Sequence, residues 1–335
     1  MGAPPPGTAT RARRRLDLTG LLLVGLAGVW TLITSAGRPA ARPVPVLGLI
    51  AAMVVLVVVG RRWGGRQLPG LVAVAVAGSL VLGFPEILRA GGGPTGYANA
   101  NATLASMGAV GAAAAAASAP RRDRLQWALL AAVLAAGVAA TQSVAGLLAL
   151  GTAALLALGS TLLRSALPAV VGGLVAVSLT LGVTVAIADG GDPLGLGERA
   201  ALRTDLWASA LSALRDEPGR GLGPGGYEDL APVSSDADYR WAHHGYLQQG
   251  AEQGVPGVLL LLSVIGWAYG RLWLVSAASS VRAVAGASAL TVVGLHGSVD
   301  HVLHHAVVPL TGALLFGWAT RGGRRATAPG PAGRG

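Results

Sequence analysis

The chain has 335 residues, 53% hydrophobic and only 12% charged, with a formal net charge of +10 and no cysteine. A soluble domain carries about 25% charged residues, so half that level points to lipid as the solvent, and the lack of cysteine excludes disulfides and thiolate metal sites. The positive charge does not indicate nucleic acid, which needs a basic face on a soluble domain; every basic residue is an arginine, and they fall in short clusters between apolar runs.

Residues 1–16, with Arg11, Arg13, Arg14 and Arg15, read as a cytoplasmic tail. The apolar run that follows is too long for the 7–15-residue core of a secretory signal, so an uncleaved first helix is expected. Backbone amides cannot go unpaired in lipid, and apolar runs of about 20 residues therefore predict transmembrane helices. About ten are expected, at 17–36, 43–60, 68–88, 100–119, 125–141, 144–163, 166–187, 255–275, 283–300 and 305–320. The predicted fold is an all-α polytopic membrane bundle. Residues 17–187 hold seven helices, 188–254 form one large extracytoplasmic loop with short helices, 255–320 hold three more, and 321–335 form a second cytoplasmic tail.

Cytoplasmic segments hold the excess of arginine, and with the N-terminus inside they carry Arg61, Arg62, Arg66, Arg121, Arg122, Arg124, Arg164, Arg271, Arg282 and the C-terminal arginines. The outer side then carries only Arg38, Arg42, Arg89 and the five arginines of the long loop. Eleven of the fifteen acidic residues lie between Asp189 and Glu252, and all six histidines lie in that loop or near the outer end of the last helix pair. Titratable chemistry is thus collected on one face of the membrane.

Within the loop, Glu198–Arg215 predicts a helix stopped by Pro218-Gly219. Arg199 and Arg203 fall on its apolar half, one turn apart, with Trp207 a turn beyond. Two guanidiniums there call for an anion. They could snorkel to lipid phosphates or grip a pyrophosphate bidentately. Arg220 then precedes the glycine-rich turn Gly221–Tyr227, whose amides could approach an oxyanion. A second helical stretch, from Trp241 into the eighth span, puts His244, Gln248 and Glu252 on one line and His243 on the next. A histidine of near-neutral pKa can take a proton from an acceptor hydroxyl.

These elements, in this order, resemble the O-antigen ligase and polymerase family of membrane glycosyltransferases. The resemblance rests on Arg203…Trp207, on Pro218…Gly221-Leu-Gly223, and on His243-His244-Gly-Tyr246-Leu247…Glu252-Gln-Gly254-Val-Pro-Gly257. Upstream, Gly96–Ala105 with Asn99 and Asn101 is similar to the family's Asn-Pro-Asn segment, and the stretch around His296, Asp300 and Pro309 to its closing helix pair. The chain departs from the pattern at His244, where asparagine is common, and at Ser143-Val144, where the family often has Ser-Arg.

The resemblance implies transfer of a glycan from a polyprenyl-diphosphate carrier to an acceptor hydroxyl in the bacterial inner membrane. The expected chemistry is inverting and free of metal or other cofactor. Arg203 and His243 are the expected catalytic pair, as diphosphate ligand and as base. Arg199, Arg220, Arg89, Asn99, Asn101, His244, Tyr246, Glu252 and Asp300 are the expected substrate-binding set. The partners would be the lipid-linked donor, a glycan or lipid-glycan acceptor and the bilayer, with no nucleic acid. Two other classes stay open. A lipid-linked oligosaccharide flippase would share the arginines but needs polar groups deep in the helices. A metal-dependent hydrolase could use His296, Asp300 and His304, spaced as one helical row, with His301 and His305 as a second pair.

Overall fold

The computed structural model describes residues 8–83, 85, 93–190, 198–230, 240–276 and 279–321. Among them there are eleven α-helices and no strand: α1 Thr8–Ser35, α2 Pro43–Trp63, α3 Leu68–Leu82, α4 Ala98–Ser118, α5 Arg121–Ala140, α6 Val144–Leu162, α7 Gly173–Gly190, α8 Glu198–Asp216, α9 Gly245–Ser276, α10 Ser280–Gly297 and α11 Val307–Ala319. A π-helical turn, Pro168–Gly172, leads into α7. Seven of the helical segments are long and apolar enough to cross a membrane. Leu68–Leu82 and Val307–Ala319 are shorter apolar helices, and α10 has 18 residues. The chain is a multi-pass, all-helical membrane protein.

The helix order agrees with the spans expected from hydropathy, and the differences lie at their ends. The seventh span runs on to Gly190, and the eighth begins ten residues earlier than expected, at Gly245, because the polar stretch before it is itself helical. That helix is bent at Gly254, whose φ of 68° and ψ of −172° are not helical. The end of the expected third span falls partly outside the described residues.

Small side chains decide which helices sit at the centre. In α4, 78% of the apolar window is buried, because its run of Ala and Gly lets neighbouring backbones come close. The crossing of α2 and α11 works the same way: a Cβ at Gly60 would lie 2.5 Å from Leu314 O, and one at Gly317 would lie 2.4 Å from Val57 O. Leucines and valines of α1, α5, α6 and α7 are instead largely exposed on the outside of the bundle, as lipid-facing surfaces require.

The bundle has two chemically distinct ends. At one, Asp17 accepts from Arg61 at 3.1 Å and Arg271 at 3.0 Å. At the other lie the α1–α2 connection, the start of α4, α8, the start of α9 and the α10–α11 connection. Here Arg42 N–H donates to Pro224 O at 2.7 Å and the Arg42 guanidinium to Glu228 at 2.6 Å. This second end is called the loop end below. Helix α8 does not lie bare on lipid. Trp207, Ala210, Leu211 and Ala213 pack on Val185, Ile187 and Ala188 of α7 and on Ala242, Leu247 and Ala251.

Candidate functional site

Asp300, fully buried in the α10–α11 connection, is the hub of the loop end. Tyr97 Oη donates to its carboxylate at 2.8 and 2.9 Å, Asn99 Nδ2 to Oδ2 at 2.5 Å, and the His301 amide to Oδ1 at 2.6 Å. Arg203 Nη2 reaches Oδ2 at 3.3 Å. Two imidazoles complete the group: His301 Nδ1 stands 3.2 Å from Oδ1 and His243 Nδ1 3.8 Å from Oδ2. Burial pushes the Asp300 carboxyl up, but the facing His243, His301 and the Arg203 guanidinium more than reverse this and hold it well below the usual range. A carboxylate with so many donors stays ionised. Burial drives His301 the other way, down to about 3, so its ring is neutral at neutral pH.

The local sequence explains how these groups are aimed. Arg203 and Trp207 lie one turn apart on α8, so both side chains leave the same face. Arg203 meets Asp300, and Trp207 Nε1 donates to His243 O at 2.9 Å. That bond holds His243 at φ 49°, a left-handed conformation uncommon for a residue with a Cβ. Asn99 and Asn101 divide their work. Asn99 bonds Asp300, while Asn101 Oδ1 accepts from the Thr95 amide at 3.2 Å and so shapes the turn that presents Tyr97.

Other expected site residues serve the frame. The Gly221 turn and the Gly254 kink interlock: Leu222 N–H donates to Ala251 O at 2.8 Å, Gly223 N–H to Glu252 O at 2.7 Å, and Val255 N–H to Pro218 O at 2.8 Å. Glu252 fastens the same joint, accepting from Gly225 N–H at 2.9 Å and from Gln248 Nε2 at 3.0 Å. Gly221 N–H and Gly226 N–H are also taken by carbonyls, so the turn's amides, which the sequence suggested for an oxyanion, are spent on the fold. Arg220 donates to Ile33 O and Ala36 O at 2.5 and 2.7 Å, capping the carbonyl end of α1, where a cation is favoured.

His244 is fully buried. Its Nδ1 accepts from Leu247 N–H at 3.2 Å, so Nε2 carries the proton and donates to Thr184 Oγ1 at 2.8 Å. Burial lowers its pKa to about 3, and the neutral ring joins α7 to α9. Tyr246 Oη donates to Gly294 O at 3.3 Å. Arg89 lies outside the described residues, as does the Arg199 side chain.

Tyr97 is the hub residue that the sequence did not single out, while His301 was offered there only with His305 as a possible pair of metal ligands. Tyr97 immediately precedes the helix that carries Asn99, and His301 follows Asp300, so adjacency was the available signal. The row His296, Asp300, His304 does not survive. Helix α10 ends at Gly297, His296 Nδ1 pairs with Thr103 Oγ1 at 2.7 Å, and His304 lies in a separate 3₁₀ turn.

Fold and site together define a polytopic helical membrane protein with a buried Asp-His centre, met by a part-exposed arginine, at one end of the bundle. Residues 127–262, from α5 to the middle of α9, match the family model of O-antigen ligase. The match bears out the resemblance seen in the sequence. No curated protein matches the chain.

Proposed function

We propose that the protein transfers a glycan from a polyprenyl-diphosphate carrier to an acceptor hydroxyl, by inversion and without a metal ion. The observation that carries this reading is the convergence of Arg203 and His243 on Asp300. With His243 Nδ1 turned toward Asp300, Nε2 on the other edge of the ring takes the proton of the acceptor hydroxyl. The acceptor oxygen attacks the anomeric carbon, the bond from that carbon to the diphosphate oxygen breaks, and the diphosphate leaves as an anion. Asp300 stabilises the imidazolium so formed, as the carboxylate does in a Ser-His-Asp triad. The Arg203 side chain is 37% exposed, and its outer edge meets the diphosphate charge as it develops.

The distribution of arginines supports a bacterial inner-membrane location with the loop end outside and both termini in the cytoplasm. The decisive assay uses purified protein in detergent, a polyprenyl-diphosphate-linked glycan donor, an acceptor and EDTA. Arg203→Ala and His243→Ala should each lower turnover by about 10²–10⁴-fold. Wild-type turnover by both variants would overturn the site assignment, and loss of wild-type activity with EDTA would overturn the metal-free mechanism. Production of transferred glycan with no membrane barrier present excludes pure transport.

A further inference from the structure

The fold breaks up one possible metal row and builds another. Nδ1 of His243, Nδ1 of His301 and a carboxylate oxygen of Asp300 lie within 4.8 Å of one another, all three residues buried. The Nδ1–Nδ1 separation is 3.2 Å, and His301 Nδ1 to Asp300 Oδ1 is also 3.2 Å. Zinc bonds of about 2.0–2.1 Å in a tetrahedron place neighbouring ligand atoms about 3.3–3.4 Å apart. Two edges of the trio already have that length. His243 Nδ1 stands 3.8 Å from the other oxygen, Oδ2, so its ring must tilt toward Oδ1 for the three atoms to share one ion.

The groups around the trio fit the same role. Tyr97 and Asn99 hold the carboxylate from outside, as the partners of metal ligands do. Arg203 opposes a nearby cation. It contacts Oδ2 rather than Oδ1, and its part-exposed side chain can turn outward, so weak, reversible occupancy fits better than a permanent structural ion.

We infer that His243, Asp300 and His301 bind one zinc-type divalent ion, and that its binding switches off the His243 base. A metal on Nδ1 uses the lone pair of that nitrogen. The neutral ring must then carry its proton on Nε2, where it cannot accept another. The binding site stands by itself, whereas the switch rests on the glycosyl-transfer reading above.

The test begins with EDTA-stripped, desalted wild-type protein titrated with zinc chloride against a fluorescent zinc chelator. One zinc per chain is expected. His301→Gln and His243→Gln should each weaken binding at least about tenfold, with monodisperse elution confirming that the variants fold. Cobalt(II) added to wild type should give the visible absorption of a tetrahedral site, which requires no variant. In the transfer assay, zinc should inhibit, EDTA should restore activity, and His301→Gln should raise the half-inhibiting zinc concentration at least about tenfold. Absence of zinc binding, or binding unchanged in both variants, overturns the site. Stoichiometric zinc with undiminished transfer overturns the switch. Should the glycosyl-transfer reading itself be wrong, the wild type would bind zinc yet transfer nothing, which separates the two failures.

Discussion

Trp207 shows how one indole nitrogen can matter to a site that the side chain does not enter. Its ring is 7% exposed, and its N–H is the donor that holds the His243 carbonyl. Trp207→Phe keeps most of the apolar packing and leaves that carbonyl unpaired, at a cost of about 1–3 kcal/mol. The expected result is a fall in kcat larger than the change in KM, because the base is misaimed while the donor site is untouched. Steady-state kinetics with varied donor would check it, and an unchanged kcat would remove His243 geometry from the mechanism. His244 makes the opposite point: a histidine beside the candidate base is fixed by two hydrogen bonds in one neutral tautomer. Its folded pKa, about 3, lies below the ordinary 6.5. Unfolded chains therefore bind a proton here that the folded protein refuses, and stability falls as pH drops below about 6.5. At pH 5 this group costs about 2 kcal/mol relative to pH 7. His244→Asn should flatten that part of the acid-side decline in a detergent melting series. Equal slopes for variant and wild type would contradict a folded His244 held neutral by burial.

At the scale of elements, the joint between the Gly221 turn and the Gly254 kink explains why two glycine motifs so far apart in sequence occur together. Gly254 has φ +68°, and a Cβ there would meet Pro218 O at 2.6 Å. Gly254→Ala combines a backbone conformation that is essentially glycine's own, costing about 1–3 kcal/mol, with a clash against main chain. A large drop in melting temperature and loss of transfer are expected. Gly266→Ala is the matched control, since it lies on the same helix with nothing within 4 Å of its Cβ; it should leave both measurements near wild type. Similar melting temperatures for the two variants would mean that the interlock does not hold α9 to the loop end.

At the scale of the whole molecule, the two ends of the bundle invite a topological test that the cysteine-free chain makes clean. Leu230 is exposed at the loop end, and Gln67 is exposed in the α2–α3 connection at the opposite end. A membrane-impermeant thiol reagent should label Leu230→Cys in intact cells and Gln67→Cys only after permeabilisation. The reverse pattern would invert the proposed orientation and place the candidate site in the cytoplasm.

Apolar runs and the low charge content were enough to predict an all-helical, multi-pass protein, because lipid forces each span to satisfy its own backbone and so makes spans a local property. The Arg203–Trp207 spacing and the His243 stretch were legible for the same reason: both are short-range patterns on single elements. The roles within the motifs were not. The resemblance puts Arg220 and Glu252 in the substrate-binding set, yet packing commits Arg220 to a helix end and Glu252, through Gln248 and Gly225, to its own helix and a glycine turn. Tyr97 carried no signal beyond adjacency, and His301 only its spacing from His305, until four separate segments met at Asp300. Which charges face a substrate and which hold the frame is a long-range question. The tertiary structure decided it by setting where each buried carboxylate and each helix end finds its partner.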